Sequence, residues 1–120
     1  MTVVSTLDVH GLTPEEYRAV MDELGVEARP EGGIYLHLTT PTDFGFRVVE
    51  IWDEKEGFDR FLEQRLAPAG EAVGLKREMT IAVTPLHNLF APRLTELPAL
   101  VPSLPGAPAA VSSPREVAKR

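Results

Sequence analysis

The chain of 120 residues is long enough for one domain, and its 43% hydrophobic and 25% charged side chains are ordinary for a soluble globular protein. Its net charge of -6 argues against binding to nucleic acid through phosphate neutralisation, and the absence of cysteine excludes disulfides, thiolate catalysis and cysteine-ligated metals. No apolar run reaches the roughly 20 residues that span a bilayer, and the N-terminus lacks the pattern of a secretory signal, so we expect a cytoplasmic protein with neither a nucleic-acid nor a membrane partner.

The first third of the chain predicts a strand followed by a capped helix. Thr2–Val9 is rich in β-branched residues, which is typical of a strand. Thr13 is a predicted helix cap, with Pro14 at the first helical position and Glu16 completing a capping box. Gly25 suits the end of this helix. The buried face of the helix is predicted from four residues at helical spacing: Tyr17, Val20, Met21 and Leu24.

The middle of the chain predicts a hairpin, a second helix and a fourth strand. Ile34–Thr40 and Phe46–Asp53 are two predicted strands joined by a short turn, so we expect them to pair antiparallel. Asp53 is then the predicted cap of the second helix. Pro68 is expected to kink or end this helix, and Met79–Val83 is predicted to be a strand that continues irregularly towards residue 90. The buried stripe of the second helix is predicted to hold Phe58, Phe61, Leu62 and Leu66.

This order, β-α-β-β-α-β, indicates an α+β fold of the ferredoxin-like type, with two helices on one face of a four-stranded antiparallel sheet. In the second strand Ile34, Leu36 and Leu38 alternate with Tyr35 and His37, and the third strand also has apolar groups on both faces. A domain of ninety residues has no third layer to cover the second face. We therefore expect a homodimer in which two sheets face each other.

A change of composition near residue 91 predicts the end of this domain. Residues 91–120 contain six of the eleven prolines, and they carry four basic and two acidic side chains, whereas residues 1–90 carry eight and sixteen. Proline excludes a long helix or a central strand. We expect an extended or disordered tail, with an arm that packs on the domain or on a partner subunit as the alternative.

The pattern resembles the dimeric α+β barrel superfamily, near the antibiotic biosynthesis monooxygenase group. The resemblance rests on the element order, on the segment Val48–Asp53 at a strand-to-helix junction and on the helix segment Phe58–Phe61, and it covers about residues 1–90. It implies a homodimer with a ligand cavity between the helices and the sheet of each subunit. Some members are cofactor-independent oxygenases of phenols, anthrones or quinols, others bind haem, and many have no known activity.

One position departs from the pattern of the oxygenases. In members that oxidise anthrones, a polar residue, typically asparagine, lies four positions before the tryptophan. Val48 occupies that position here and cannot form a hydrogen bond with a substrate oxygen. Oxygenase chemistry in this chain therefore requires another polar group.

His37 and His87 are the candidate catalytic bases, because a neutral imidazole can accept a phenolic proton near neutral pH. His37 lies in the middle of a predicted strand, where the structural alternative is a hydrogen-bonded histidine at the dimer interface. His87 lies where the fourth strand leaves the sheet, and its alternative is a loop anchored by local hydrogen bonds. Arg65 could stabilise a developing oxyanion, unless it extends from the edge of an apolar stripe into water.

The remaining candidates are ligand-binding residues. Trp52 is expected either to stack on an aromatic ligand or to close the core. Glu50 has the same parity and is a second candidate base, with pairing to Arg47 or Arg65, or exposure at a sheet edge, as the alternatives. The predicted lining of an aromatic-ligand cavity is completed by Tyr35, Phe61, Asn88 and Phe90.

We expect no metal site and no cofactor, because His10, His37 and His87 lack the short spacings of metal ligands. The leading hypothesis is a small cofactor-independent, monooxygenase-like enzyme that removes a proton from an aromatic or polyketide-like molecule, followed by oxygenation, cyclisation or rearrangement. A non-catalytic dimeric binding protein and a haem-binding member of the same superfamily are the alternatives.

Overall fold

The computed structural model describes residues 1–101, and the predicted tail from residue 102 onward lies outside the described residues. Within residues 1–101, no helix is both long and apolar enough to cross a membrane. The elements of the first compact unit, Met1–His87, are four strands and two helical segments, the second of which changes type along its length. They are β1 (Val3–His10), α1 (Pro14–Leu24), β2 (Ile34–Thr42), β3 (Gly45–Trp52), α2 (Lys55–Phe61), a π-helical turn (Leu62–Leu66), α3 (Ala67–Ala72) and β4 (Met79–Pro85).

The four strands form one antiparallel sheet in the order β2-β3-β1-β4, which confirms the predicted ferredoxin-like α+β fold. The odd-numbered residues of β1, from Val3 to Val9, are buried, and α1, α2 and α3 pack against them. Ser5 lies opposite Glu50 on β3 and opposite Val83 on β4. The odd-numbered residues of β1 and the residues paired with them lie on the face of the sheet that the helices cover, which we call the helix-covered face. The even-numbered residues of β1 lie on the opposite face, which we call the outer face.

Helix α1 begins and ends as its local sequence predicts. The Thr13 hydroxyl accepts a hydrogen bond from the backbone N–H of Glu16, and the Glu16 side chain accepts one from the backbone N–H of Thr13. Gly25 adopts a left-handed conformation with φ 68°, and its N–H bonds to the Met21 carbonyl. Because each signal lies within one helical turn of its partner, no tertiary contact overrides it.

The second helical segment differs from the prediction at its start. It begins at Lys55, after an N-cap residue, Glu54, whose side chain makes no capping hydrogen bond. The predicted cap at Asp53 is therefore wrong. Instead, the Asp53 N–H donates to the Gly33 carbonyl across the end of the β2–β3 pair. This hydrogen bond ties Asp53 to the end of the sheet, one residue before the N-cap position at Glu54.

Pro68 changes the helix instead of ending it. The N–H of Ala67 bonds to the carbonyl of Leu62, five residues back, so the chain makes one wider π-helical turn before α3. Proline has no N–H, and its ring clashes with the carbonyl four residues earlier in an α-helix. A wider turn relieves this conflict, and the helix continues to Ala72.

Strand β2 contains a bulge that overturns the simple alternation expected from its sequence. Ile34 pairs with Trp52 and Leu36 pairs with Ile51, so Tyr35 is an extra residue with no partner on β3. Ile34 therefore lies on the helix-covered face together with His37, whereas Leu36 lies on the outer face. The grouping of Ile34 with Leu36 and Leu38 was wrong, because one inserted residue shifts the parity of the strand.

The core under the helices is built around Trp52 and Phe58, which are each 1% exposed. The two rings make an edge-to-face contact with centroids 6.1 Å apart, and the centroid of the Phe61 ring lies 5.6 Å from that of Trp52. Complete burial of one such side chain contributes about 1.5–3 kcal/mol. Trp52 is thus a central residue of the hydrophobic core of the first unit.

The second compact unit begins at Asn88. Its described part contains a short 3₁₀-helix, Leu94–Leu100, with Pro98 inside it. Arg93 and Glu96 form an exposed ion pair at the start of this helix. The domain boundary near residue 91 stays a prediction.

Candidate functional site

A buried carboxylate, that of Glu50 near the C-terminal end of β3, joins a cluster of polar side chains on the helix-covered face. Glu50 Oε2 lies 2.7 Å from Nδ1 of His37, and Glu50 Oε1 accepts a hydrogen bond of 2.9 Å from the Trp52 indole N–H. Only 7% of the Glu50 side chain is exposed, against 27% of the His37 side chain. The cluster therefore has a buried end at Glu50 and a more accessible end at His37.

Helix α1 supplies the next member of the cluster. The Tyr17 hydroxyl lies 2.9 Å from Nε2 of His37, and the hydroxyl of Thr39 donates to the same Tyr17 oxygen over 3.0 Å. The Tyr17 ring stacks on Phe46 with an angle of 4° between the planes. Burial raises the pKa of the Tyr17 phenol above its ordinary value, and the hydrogen bond from Thr39 lowers it only in part. We call Tyr17, His37, Thr39, Glu50 and Trp52 the polar cluster.

The hydrogen bonds determine which group donates and which group accepts at each contact of the polar cluster. A carboxylate only accepts, so Glu50 selects the tautomer of His37 that carries its hydrogen on Nδ1. Nε2 then keeps a lone pair and accepts the hydrogen of the Tyr17 hydroxyl. The Tyr17 oxygen, in turn, accepts from Thr39. This arrangement prepares Nε2 of His37 to take a proton that arrives through Tyr17.

The position of His37 depends on the sheet. His37 lies directly opposite Glu50 in the β2–β3 register, because the bulge at Tyr35 places His37 on the helix-covered face. On the far side of Glu50, Ser5 is completely buried, and its hydroxyl has no hydrogen-bond partner among the described residues. At the buried end of the polar cluster, the Ser5 hydroxyl is therefore still able to form a hydrogen bond.

Three predicted site residues thus come together: His37, Glu50 and Trp52. Trp52 is a core residue, consistent with one of its two expected roles. Glu50 bonds to His37 and Trp52 rather than to an arginine, since Arg47 pairs with Asp8. Arg65 bonds to Glu31 and to the Leu24 carbonyl at the end of α1.

Of the other predicted residues, Phe61 adjoins the polar cluster through Trp52, and the rest lie apart from it. Phe61 is buried in the core beside Trp52. Tyr35 is 68% exposed at the bulge, and His87 is exposed at the end of the first unit. Asn88 and Phe90 belong to the second unit and are exposed.

Sequence reasoning missed Tyr17 and Thr39 as members of the site. The helical spacing predicts Tyr17 only as part of the buried stripe of α1, although its residue type carries one further signal. A tyrosine on a buried helical face needs a hydrogen-bond partner for its hydroxyl. The partner itself could not be found, because His37 lies twenty residues away and meets Tyr17 only when α1 packs on β2.

A separate pocket of about 340 Å³ opens beside the π-helical turn. Its walls are mainly apolar, and Lys76, Arg77 and Glu71 are its charged residues. The volume falls within the range of small-molecule pockets. None of the polar cluster lines this pocket. The apolar side chains that line it are Val20, Leu62, Leu66, Ala67, Leu75 and Met79.

The positions and hydrogen bonds of the histidines indicate whether they could bind a metal ion or haem. Among residues 1–101, no three acidic or histidine side chains come together as a metal site. Both ring nitrogens of His37 already form hydrogen bonds, with Tyr17 and Glu50. An axial ligand of haem needs a free ring nitrogen, so the geometry of His37 does not fit that role.

The fold has close counterparts among solved structures, although no protein-family profile and no curated protein sequence matches the chain. SnoaB, a cofactor-independent oxygenase from Streptomyces nogalater, is 19% identical with a TM-score of 0.52, over 74% of this chain and 94% of SnoaB. A candidate antibiotic biosynthesis monooxygenase from Deinococcus radiodurans is also 19% identical with a TM-score of 0.52, over 76% of this chain and 97% of that one.

A third counterpart is a dimeric ferredoxin-like protein of unknown function from Thermobifida fusca. It is 16% identical with a TM-score of 0.51, over 72% of this chain and 92% of that one. At these identities the similarity establishes the architecture and not the chemistry. The chain therefore has the ferredoxin-like fold that these solved structures share.

Proposed function

We propose that the protein is a cofactor-independent enzyme that removes a proton from an activated phenol or enol of an aromatic or polyketide-like molecule. The observation that carries this proposal is the hydrogen-bonded chain from Glu50 through His37 to Tyr17. Its geometry is that of an oriented general base, in which a carboxylate fixes the tautomer of a histidine. SnoaB, whose fold is similar, is a cofactor-independent oxygenase, so this class of reaction is compatible with the fold.

Proton removal follows from the direction of the hydrogen bonds. The substrate hydroxyl donates to the Tyr17 oxygen in place of Thr39 or beside it. As the substrate proton moves to this oxygen, the phenolic proton of Tyr17 moves to Nε2 of His37. The imidazolium that forms is stabilised by the buried Glu50 carboxylate at 2.7 Å. The deprotonated substrate then reacts with molecular oxygen, or it cyclises or rearranges.

Oxygen consumption with a panel of hydroquinones and anthrones tests the proposal. We expect turnover of at least one compound by the wild type, and a decrease of about tenfold in Tyr17→Phe, because a water molecule can partly replace the missing phenol in proton transfer. Tyr35→Phe is the matched control, since Tyr35 lies outside the polar cluster and is exposed. Absence of turnover or rearrangement with every compound, for a folded protein, would contradict an enzymatic role.

A non-catalytic binding protein is the second candidate. Val48 supports it, because this buried residue offers no hydrogen bond where the resemblance expects a polar side chain. The pocket of about 340 Å³ beside the π-helical turn could hold an aromatic ligand. Saturable binding of an aromatic compound without any chemical change in it would favour this candidate.

We further propose that the protein works as a homodimer, in the cytoplasm. The outer face of the sheet carries a band of apolar side chains on three neighbouring strands, and Leu38 in this band is 45% exposed. The structural counterpart from Thermobifida fusca is described as dimeric. A second copy that places its own outer face on this band would bury both. The band consists of Val4, Leu36, Leu38 and Val49, and Ile51 beside them is already buried in the single chain.

Sedimentation velocity measures the oligomeric state directly. We expect a particle of twice the 13.2 kDa chain mass. Leu38→Lys should weaken the dimer by about tenfold to a hundredfold in dissociation constant, because it removes one buried leucine worth about 1.5–3 kcal/mol. Val73→Lys, a similar change at an exposed residue after α3, should have no effect. A wild-type monomer at every concentration would contradict the proposed dimer.

A further inference from the structure

We propose that Tyr17 is a redox-active residue, which gives one electron to an organic peroxyl radical while its phenolic proton passes to His37. This activity goes beyond the proposed deprotonation of a substrate and does not depend on it. The feature that carries it is the same short hydrogen bond, of 2.9 Å, between the Tyr17 hydroxyl and Nε2 of His37.

A phenol loses an electron easily only when its proton can leave at the same time, because the cation of an oxidised phenol is a very strong acid. A base at hydrogen-bond distance therefore lowers the barrier to oxidation. Nε2 of His37 is such a base, since Glu50 holds the hydrogen of the imidazole on Nδ1. After the transfer, the imidazolium of His37 faces the Glu50 carboxylate, and Tyr17 is a neutral radical.

The electrons and protons balance without a bound cofactor. Tyr17 loses one electron to the peroxyl radical and one proton to His37. The peroxyl radical becomes a hydroperoxide anion, which takes a proton from water and leaves as the hydroperoxide. Within the protein, the O–H bond of Tyr17 breaks and an N–H bond forms at Nε2 of His37, and no covalent bond forms between the protein and the oxidant.

The environment of Tyr17 suits this role better than that of the other tyrosine. Tyr17 is half-buried and stacked on Phe46, which shields a radical on its ring from other radicals. Tyr35 is 68% exposed at the bulge, outside the polar cluster. The Trp52 indole also donates to Glu50, but at 1% exposure it does not meet solutes.

The chain offers a sharp test because it contains only two tyrosines and one tryptophan. In the Tyr35→Phe variant, Tyr17 is the sole tyrosine. Trichloromethylperoxyl radicals generated by pulse radiolysis would be the oxidant, and the optical absorption of the tyrosyl radical would be followed in time. We expect Tyr35→Phe to form a tyrosyl radical, with a slower rate in heavy water because a proton moves in the same step.

Adding His37→Gln to Tyr35→Phe should slow radical formation by about tenfold or more, since glutamine has no basic nitrogen to receive the phenolic proton. Adding His10→Ala, a histidine change on the outer face, should leave the rate unchanged. An equal rate with and without His37, or the absence of a heavy-water effect, would overturn the proposal. The assay contains no enzyme substrate, so its result is separate from that of the oxygen-consumption experiment.

Discussion

Replacement of His37 by alanine should lower turnover of an oxidisable phenol by about 10²- to 10⁴-fold, the range lost when a general base is removed. The variant loses the only group of the polar cluster that joins Tyr17 to the buried Glu50 carboxylate. The substrate proton then has no acceptor except water. The ratio of kcat/KM between wild type and variant, measured by oxygen consumption, gives the effect.

Two further histidine variants make this result specific. His10→Ala alters a histidine of the outer face, so it should retain full turnover. His87→Ala should also retain it, because His87 is exposed at the end of the first unit and outside the polar cluster. Loss of turnover in His87→Ala together with normal turnover in His37→Ala would assign the base to His87 instead.

The partner of His37 gives an independent check that needs no substrate. Glu50 accepts from both His37 and Trp52, whereas glutamine offers one carbonyl and one amide group. In Glu50→Gln, the amide N–H of the glutamine would therefore face either the Nδ1–H of His37 or the indole N–H of Trp52, and two donors would meet. We expect this conflict to change the tautomer of His37, and the ring ¹⁵N shifts of His37 measure that change.

Replacement of Trp52 by alanine should lower the free energy of unfolding by about 3–5 kcal/mol, as expected when a large aromatic side chain is removed from a core. Trp52 is 1% exposed and contacts the rings of Phe58 and Phe61. The same change also leaves Glu50 Oε1 without its donor. Urea denaturation followed by circular dichroism measures the loss.

Trp52→Phe separates these two contributions. It keeps an aromatic ring in the core but removes the indole N–H, so we expect a smaller loss, about 1–3 kcal/mol, from the unsatisfied buried carboxylate oxygen. A negligible effect of Trp52→Ala would contradict the central place of this residue in the core. An equal effect of both variants would assign most of the loss to the hydrogen bond.

The sequence predicted those parts of the fold whose signals are local. The capping box at Thr13 and the helix-ending Gly25 are each contained within one helical turn, and both are confirmed. The order of strands and helices was also predicted correctly, because each element has its own periodicity. The Asp53 cap was wrong because a backbone hydrogen bond from the sheet, to Gly33, decides the conformation there.

The candidate site was predictable only in part, for a different physical reason. His37 and Glu50 were identified by their chemical type, but their contact depends on strand register. The extra residue at Tyr35 changes that register and leaves no clear mark in the composition of the strand. The contact between Tyr17 and His37 requires the docking of a helix on a sheet, which no local pattern encodes.

The bulge in β2 also bears on how such a site could arise. One extra codon in an edge strand transfers the histidine from one side of the sheet to the other, while the buried strands β1 and β3 keep their pairing. A single insertion or deletion is therefore enough to gain or lose the Tyr17–His37–Glu50 chain, with little disturbance of the hydrophobic interior. Proteins of this architecture can in this way share one scaffold and still differ in whether they hold a base beneath their helices.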